Sequence, residues 1–185
     1  MINIFFFMIF LSMATTETYK TPEYTLINKK GNIEIRQYSE YIIAKTSIKQ
    51  SDIELNNNMF RILASYIFGG NRENKSIPMT TPVITKSTNS DYDMIFFMLD
   101  AENIDDLPVP NNRDVLIEKM EIGKTVSIKF GMWATDKRVS SYKIKLDKYI
   151  KENNIEVQST LMVAQYNSPW AIPPFRKNEL IYQIK

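Results

Sequence analysis

The residues with the clearest chemical potential lie in one segment near the C-terminus, with the sequence YNSPWAIPPFRKNE (166–179). Trp170 and Phe175 offer flat apolar surface, and Arg176 and Lys177 are adjacent cations that can pair with an anion. Proline fixes the backbone φ angle, so this loop loses little entropy when it orders. The segment therefore has the chemistry of a rigid binding wall. The alternative is structural: RKNE fixes the last strand through salt bridges and turn hydrogen bonds, and Trp170 belongs to the core.

Catalytic groups are scarce, because the sequence contains no cysteine and no histidine. Disulfides, thiolate metal sites, cysteine nucleophiles and catalytic triads are therefore excluded, and so are most zinc sites and the commonest haem ligand. Asp105 and Asp106 lie in a polar segment flanked by prolines, which is typical of a solvated loop. We expect no enzymatic activity, no catalytic residue and no metal site.

The composition indicates a single globular domain. The chain has 185 residues, of which 44% are hydrophobic and 12% aromatic, enough to build a core. Its 23 cations and 21 anions give a formal net charge of +2, and no Lys/Arg cluster stands out. This balance argues against a nucleic-acid partner. We expect a monomer without a transmembrane span.

The N-terminal stretch MINIFFFMIFLSMATTE is dominated by apolar residues up to Leu11, a run too short to span a bilayer. Residues 1–14 have the pattern of a signal peptide, with Ser12-Met13-Ala14 as a small-x-small cleavage site, although no Lys or Arg precedes the apolar run. A secreted or membrane-associated protein would follow from that interpretation. If Met13 is the working start, the location is cytoplasmic. In both cases we expect residues 1–18 to lie outside a domain formed by residues 19–185.

Hydrophobic periodicity divides the remaining chain into strands and two helices. One helix starts at Ser51 and Glu54, which form a capping-box pattern, and it ends at a Gly-Gly pair (69–70). The second helix covers 137–152. Strands are predicted in the hairpin region 24–48 and at 79–86, 92–99, 115–121, 125–131, 156–166 and 178–184.

The order of these elements predicts an α+β fold. The order is β-β-α-β-β, repeated once, and short turns between the eight strands imply antiparallel pairing with helices over the sheet faces. Ile33 and Ile35 alternate with Glu34 and Arg36, as in a half-buried strand. We expect the two halves, near 23–99 and 113–185, to superpose by a pseudo-twofold rotation.

Six motifs together resemble those of the SOUL/haem-binding protein family. They occur in the family's order between about residue 23 and residue 185, and the pair PMTTPV and YNSPWAIPPFRKNE is the most specific. The resemblance implies a distorted antiparallel β-barrel made of two β-β-α-β-β repeats with two flanking helices, in agreement with the element order. The motifs are IEIRQY (33–38), YIFGGN (66–71), IPMTTPV (77–83), LPVPNNRDV (107–115), FGMWA (130–134) and YNSPWAIPPFRKNE (166–179).

The resemblance also implies non-covalent binding of haem or a related tetrapyrrole, by a carrier or buffer that performs no chemistry on it. In that family the porphyrin lies in a shallow apolar groove between the first helix and the loop that matches residues 167–175. A porphyrin is a flat apolar plate with an anionic edge, so it needs apolar walls and a cationic rim. The expected contacts of this small planar ligand are Phe60, Arg61, Ala64, Ile67, Trp170, Ile172, Phe175, Arg176 and Lys177.

The chain departs from the family at the groups that hold iron and propionates. Some members are thought to bind iron through a histidine, which this chain lacks, and others place lysines where this chain has Ser65 and Ile172. Without a histidine ligand, binding is expected to rest on burial of the ring and on pairing of its propionates with cations. Two other functions stay open: an interaction protein that uses the same groove for a peptide helix or a lipid, and an enzyme that acts on a tetrapyrrole or another planar ligand.

Overall fold

The computed structural model describes residues 19–49, 51, 58–168 and 171–185. These residues form an α+β fold with one curled antiparallel sheet of nine strands and two α-helices. The strands are β1 (Tyr24–Lys30), β2 (Ile33–Tyr38), β3 (Glu40–Lys49), β4 (Val83–Ser87), β5 (Asp91–Phe97), β6 (Leu116–Glu121), β7 (Lys124–Phe130), β8 (Met162–Gln165) and β9 (Asn178–Gln183), and the helices are α1 (Met59–Ile67) and α2 (Asp136–Glu152).

The sheet has the strand order β1-β2-β7-β9-β8-β4-β5-β3-β6, and it curls into a half-barrel. The predicted α+β class and antiparallel pairing are confirmed. The structure has nine described strands, not the eight predicted. The additional strand arises because the chain changes pairing partners at Ser39, which separates β2 from β3. β2 pairs with β1 and β7, whereas β3 pairs with β5 and β6. The strand predicted at 156–166 is shorter, and β4 begins only after Pro82, which has no N–H to donate to a ladder.

The two halves of the chain use the same kinds of strand pair. β3 pairs with β5 in the first half, and β7 pairs with β9 in the second. β4 and β8 pair with each other across the halves. Superposition of the two halves by a twofold rotation stays a prediction. Among the residues described, no helix is long and apolar enough to cross a membrane.

α1 covers part of the outer face of the sheet. Leu63 and Ile67 of α1 pack against Ala44 of β3 and Phe96 of β5. Side chains alternate along a strand, and Phe97, the neighbour of Phe96, belongs to the core cluster on the opposite, concave face. No residue of α1 belongs to that concave cluster. The apolar face of α1 therefore packs in the outer core.

α2 covers another part of the outer face. Leu146 and Tyr149 are its buried residues, and they pack with Val126 of β7 and with Leu180 and Tyr182 of β9. Lys143 and Asp147, one turn apart on the partly exposed side, form an ion pair of 2.6 Å. Since both helices pack on the outer face, neither of them covers the concave face.

Two glycines end α1 for different physical reasons. Gly69 has a φ of +102°, a conformation that L side chains rarely adopt. Gly70 lies so close to the last turn of α1 that an added Cβ would be 2.5 Å from the carbonyl oxygen of Ser65. The predicted stop at 69–70 therefore has a structural basis. At the other end the described helix begins at Met59, while Glu54 of the predicted capping box lies outside the described residues.

We expect Gly70→Ala to lower the free energy of unfolding by about 1–3 kcal/mol, because the new Cβ must displace backbone atoms of α1. Gly131→Ala is the matched control, since its Cβ would make only an ordinary contact of 3.6 Å with the Arg176 carbonyl. Urea denaturation of both variants measures the difference. Equal stabilities would show that α1 can shift at no cost.

Candidate functional site

A cavity of about 620 Å³ occupies the concave side of the sheet. This volume lies within the range of roughly 300–1,000 Å³ that is typical of small-molecule sites. Its wall comes from eight of the nine described strands and much of it is apolar, so it can exclude water from a ligand. The apolar lining includes Ile84, Phe97, Met120, Ile122, Met162 and Ile181.

The polar part of the cavity is organised by Arg36, which is only 1% exposed. Its Nη1 and Nη2 donate to the two carboxylate oxygens of Glu179, at 2.7 and 2.8 Å. Its Nε and Nη2 donate to one oxygen of Glu34, at 2.9 and 2.6 Å. The guanidinium also lies 4.3 Å from the ring centroid of Tyr24. Arg36 is thus fully engaged, and it fixes two buried carboxylates against one wall.

Two tyrosines complete this network. The hydroxyl of Tyr38 accepts a hydrogen bond of 2.9 Å from Nη1 of Arg36, and the hydroxyl of Tyr166 donates to Glu179 at 3.0 Å. Burial raises the pKa of Tyr38 to about 12. Burial and the neighbouring Glu179 raise the pKa of Tyr166 well above its usual value. Both hydroxyls therefore stay protonated near neutral pH and act as hydrogen-bonding groups.

The pKa of the Glu34 carboxyl is strongly perturbed. Burial alone would raise its pKa, but hydrogen bonds from Lys129 and Arg36, supported by Lys29, hold the pKa at about 2. The Nζ of Lys129 is 2.8 Å from the Glu34 carboxylate, and the Nζ of Lys29 is 3.2 Å from it. Glu34 is therefore ionised at neutral pH and neutralised by its neighbours.

Cations gather at the mouth of the cavity. Lys129, Arg176 and Lys177 all contribute to its lining, and Lys177 is exposed. The guanidinium of Arg176 lies 3.4 Å from the ring centroid of Trp133, and its Nε donates to the carbonyl oxygen of Ala171 at 3.0 Å. These contacts fix Arg176 at the rim. The mouth suits an anionic group on a ligand whose body is apolar.

Only part of the predicted site meets at this cavity. Arg176 and Lys177 line it, whereas Ile172 and Phe175 are exposed in the adjacent 3₁₀ turn. Trp170 lies outside the described residues.

The predicted residues of α1 lie elsewhere. Ala64 and Ile67 are buried, and Phe60 packs edge-to-face on Phe96 with 5.5 Å between ring centroids. Arg61 is exposed, and none of these four α1 residues lines the cavity. A ligand groove between α1 and the late loop stays a prediction.

Several cavity residues were present in the motifs but were not predicted as site residues. Arg36 and Tyr38 lie in IEIRQY, and Tyr166 and Glu179 lie in YNSPWAIPPFRKNE. The alternation in β2 predicts one buried face. The side with Glu34, Arg36 and Tyr38 is more deeply buried than the side with Ile33 and Ile35. No local signal in the sequence identified the pair of Arg36 in IEIR and Glu179 in RKNE, because these residues are 143 positions apart. Their ion pair supports the structural interpretation of RKNE as the anchor of the last strand.

No three or more His, Cys, Asp or Glu residues within the described ranges are grouped so that they could hold a metal ion. The cavity lining instead offers the two thioethers of Met120 and Met162, which are soft but weak ligands. The geometry therefore favours binding by burial and charge pairing.

Comparison with known families gives one match over nearly the whole chain. A sequence model described as SOUL heme-binding protein matches residues 19–183. That range contains every described strand and both helices. No curated protein sequence gives a significant match.

Solved structures share the fold at low sequence identity. The C-terminal domain of EcmrR has a TM-score of 0.62 and 11% identity, with 88% of this chain and 98% of that chain covered. A hydrolase from Listeria innocua has a TM-score of 0.57 and 12% identity, with 86% and 94% covered. An uncharacterized conserved protein from Listeria innocua has a TM-score of 0.59 and 11% identity, with 84% and 93% covered. These identities establish similarity of fold alone.

The buried carboxylate of Glu34 should make stability depend on acid pH. A lowered pKa stabilises the folded state fully above the unfolded pKa near 4.5, and this stabilisation is lost as the pH falls towards 2. We expect the stability advantage of the wild type over Glu34→Gln to shrink by about 3 kcal/mol between pH 5 and pH 2. Urea denaturation across this range measures it, with Glu152→Gln on the exposed side of α2 as the control. An advantage that does not change with pH would contradict the assignment.

Proposed function

This chain belongs to the SOUL heme-binding protein family, and on that basis we propose that it binds haem or a related tetrapyrrole non-covalently in the concave cavity. It would act as a carrier or buffer that leaves the pigment chemically unchanged. The observation that carries the proposal is the composition of the cavity: an apolar wall on one side and a cationic mouth on the other.

The cavity fits such a ligand in its chemistry and size. Its wall of aliphatic, thioether and aromatic side chains matches the apolar face of the ring, and its volume of about 620 Å³ is that of a small-molecule site. Lys177 and Arg176 at the mouth match carboxylates at the edge of the ring. The ring would therefore enter with its apolar part first and leave its acidic edge at the rim.

The iron of a haem would gain little from this chain. There is no histidine or cysteine in the sequence, and the hydroxyls of Tyr38 and Tyr166 are protonated and engaged with Arg36 and Glu179. Affinity would then come from burial of the ring and from pairing of its carboxylates. On this proposal the affinity depends on the porphyrin ring and hardly at all on the metal.

The groove predicted from the sequence, between the exposed edge of α1 and the 168–175 loop, is the alternative location. It would use Phe60 and Arg61 together with Trp170 and Phe175. The two locations share Lys177 and Arg176 but differ in the cation on α1. A pair of charge-removing substitutions therefore separates them.

We expect haemin and iron-free protoporphyrin to bind within about tenfold of each other, a difference of roughly 1.4 kcal/mol. The reason is that neither ring gains a strong axial bond. Titrations followed by Soret absorbance for haemin and by fluorescence for protoporphyrin measure both affinities. Haemin binding a thousandfold tighter would reveal an axial ligand, and binding of neither ring would contradict the proposed function.

Lys177→Gln and Arg61→Gln form a matched pair, since each removes one exposed cation. We expect Lys177→Gln to weaken haemin binding about three- to tenfold, because it removes a partner of the propionates. Arg61→Gln on α1 should change the affinity by less than about twofold. The same titration serves both variants. If Arg61→Gln weakens binding as much as Lys177→Gln, the groove beside α1 is the site.

A further inference from the structure

Four large apolar side chains are exposed on two loops beside the cavity. We call them the mouth patch: Met132 is 39% exposed, Trp133 47%, Ile172 60% and Phe175 70%. Such side chains are normally found singly on a surface, and a group of them marks an interaction site. The proposed cavity ligand, which would occupy the concave side, does not account for side chains that point to solvent.

The two loops are in direct contact. The Arg176 guanidinium stacks on the Trp133 ring at 3.4 Å, and the side chain of Asn178 donates to the carbonyl oxygen of Met132 at 2.8 Å. On the other loop, the N–H of Phe175 donates to the carbonyl oxygen of Ile172 at 3.1 Å, which closes the 3₁₀ turn. Since Arg176 also lines the cavity, the mouth patch lies at the cavity opening.

The charge around the mouth patch is positive. The described lining of the cavity contains Arg176 and Lys177, which lie next to the mouth patch in the chain. The other two cations of the lining are paired with buried carboxylates, Arg36 with Glu34 and Glu179 and Lys129 with Glu34, so the charge beside the patch comes from Arg176 and Lys177. The surface therefore combines exposed aromatic and aliphatic tips with cations beside them.

We propose that the mouth patch docks this protein on the surface of an anionic lipid bilayer. Trp, Phe and other apolar side chains insert at the level of the headgroups, and neighbouring lysines and arginines are attracted to anionic lipids. A stable protein partner would need a contact of about 20–30 residues on each side. Four apolar side chains on two short loops are too few for that, but they suffice for shallow insertion.

Docking in this orientation turns the cavity mouth towards the bilayer. An amphiphilic ligand could then pass between the membrane and the cavity without crossing water, a consequence that rests on the proposed function. The docking itself does not rest on the proposed function, because it needs only the ligand-free protein and a membrane. The two ideas are therefore tested by separate readouts.

The experiment is co-sedimentation of the ligand-free full chain with vesicles of phosphatidylcholine, with and without about one third phosphatidylglycerol. We expect binding to the anionic vesicles, weaker binding to the neutral ones, and weakening by salt. The double substitution Ile172→Ser and Phe175→Ser should reduce the affinity for anionic vesicles at least about tenfold, because it removes two inserting side chains. Ile144→Ser is the matched control, since Ile144 is 69% exposed on α2, away from the mouth patch, and its loss should change the affinity by less than about twofold.

Three outcomes would overturn the proposal. The wild type could fail to bind anionic vesicles, or the double variant could bind as tightly as the wild type, which would assign lipid binding to another segment such as the apolar N-terminus. Sedimentation equilibrium could also show a dimer that the double variant abolishes, which would make the mouth patch a contact between two copies. Because all three substitutions replace exposed side chains, unchanged melting curves are expected and confirm that folding is intact. Haemin titration of the double variant without vesicles separates a failure of docking from a failure of the cavity.

Discussion

The buried guanidinium of Arg36 is the interaction on which this fold depends most. A buried charge is tolerated only when it is paired and hydrogen-bonded, and loss of one partner from such a group typically costs about 3–5 kcal/mol. Glu34 lies on the same strand as Arg36, whereas Glu179 lies on β9, with β7 between the two strands in the sheet. The ion pair therefore links β2 to the last strand, β9, across the intervening strand β7.

The same network gives the cavity its mixed character. The polar wall uses its hydrogen-bonding groups internally, between Glu179 and its partners Arg36 and Tyr166. It therefore offers little free hydrogen-bonding capacity to a ligand. The opposite parts of the wall are apolar, and the remaining cations lie at the mouth. Both helices pack on the outer face, which leaves the concave side uncovered. The proposed ligand, with an apolar body and an acidic edge, matches this division of the wall.

The sequence predicted the elements from local signals, whereas the site residues predicted from it stay predictions. Periodicity identified both helices and the antiparallel strands, and the Gly-Gly pair marked the end of α1, because these signals are local. The side of the sheet that α1 covers is a tertiary property, and of the residues predicted on α1 as ligand contacts, Ile67 packs in the outer core and Ala64 is buried. The pair of Arg36 and Glu179 joins residues 143 positions apart, and local patterning contains no information about such a distance. In β2 the alternation predicted a half-buried strand but not which side is buried, and the side with Glu34 and Arg36 is the more deeply buried one.

If the ligand lies on the concave side of the sheet, as we propose, methionine methyl NMR will detect it there. Met120 and Met162 line the cavity, whereas Met59 of α1 and Met79 pack on the outer side. A bound porphyrin shifts nearby methyl resonances strongly through its ring current. On protoporphyrin addition, the methyl signals of Met120 and Met162 should shift while those of Met59 and Met79 stay in place. Shifts confined to Met59 and Met79 would contradict binding on the concave side and place the ligand beside α1.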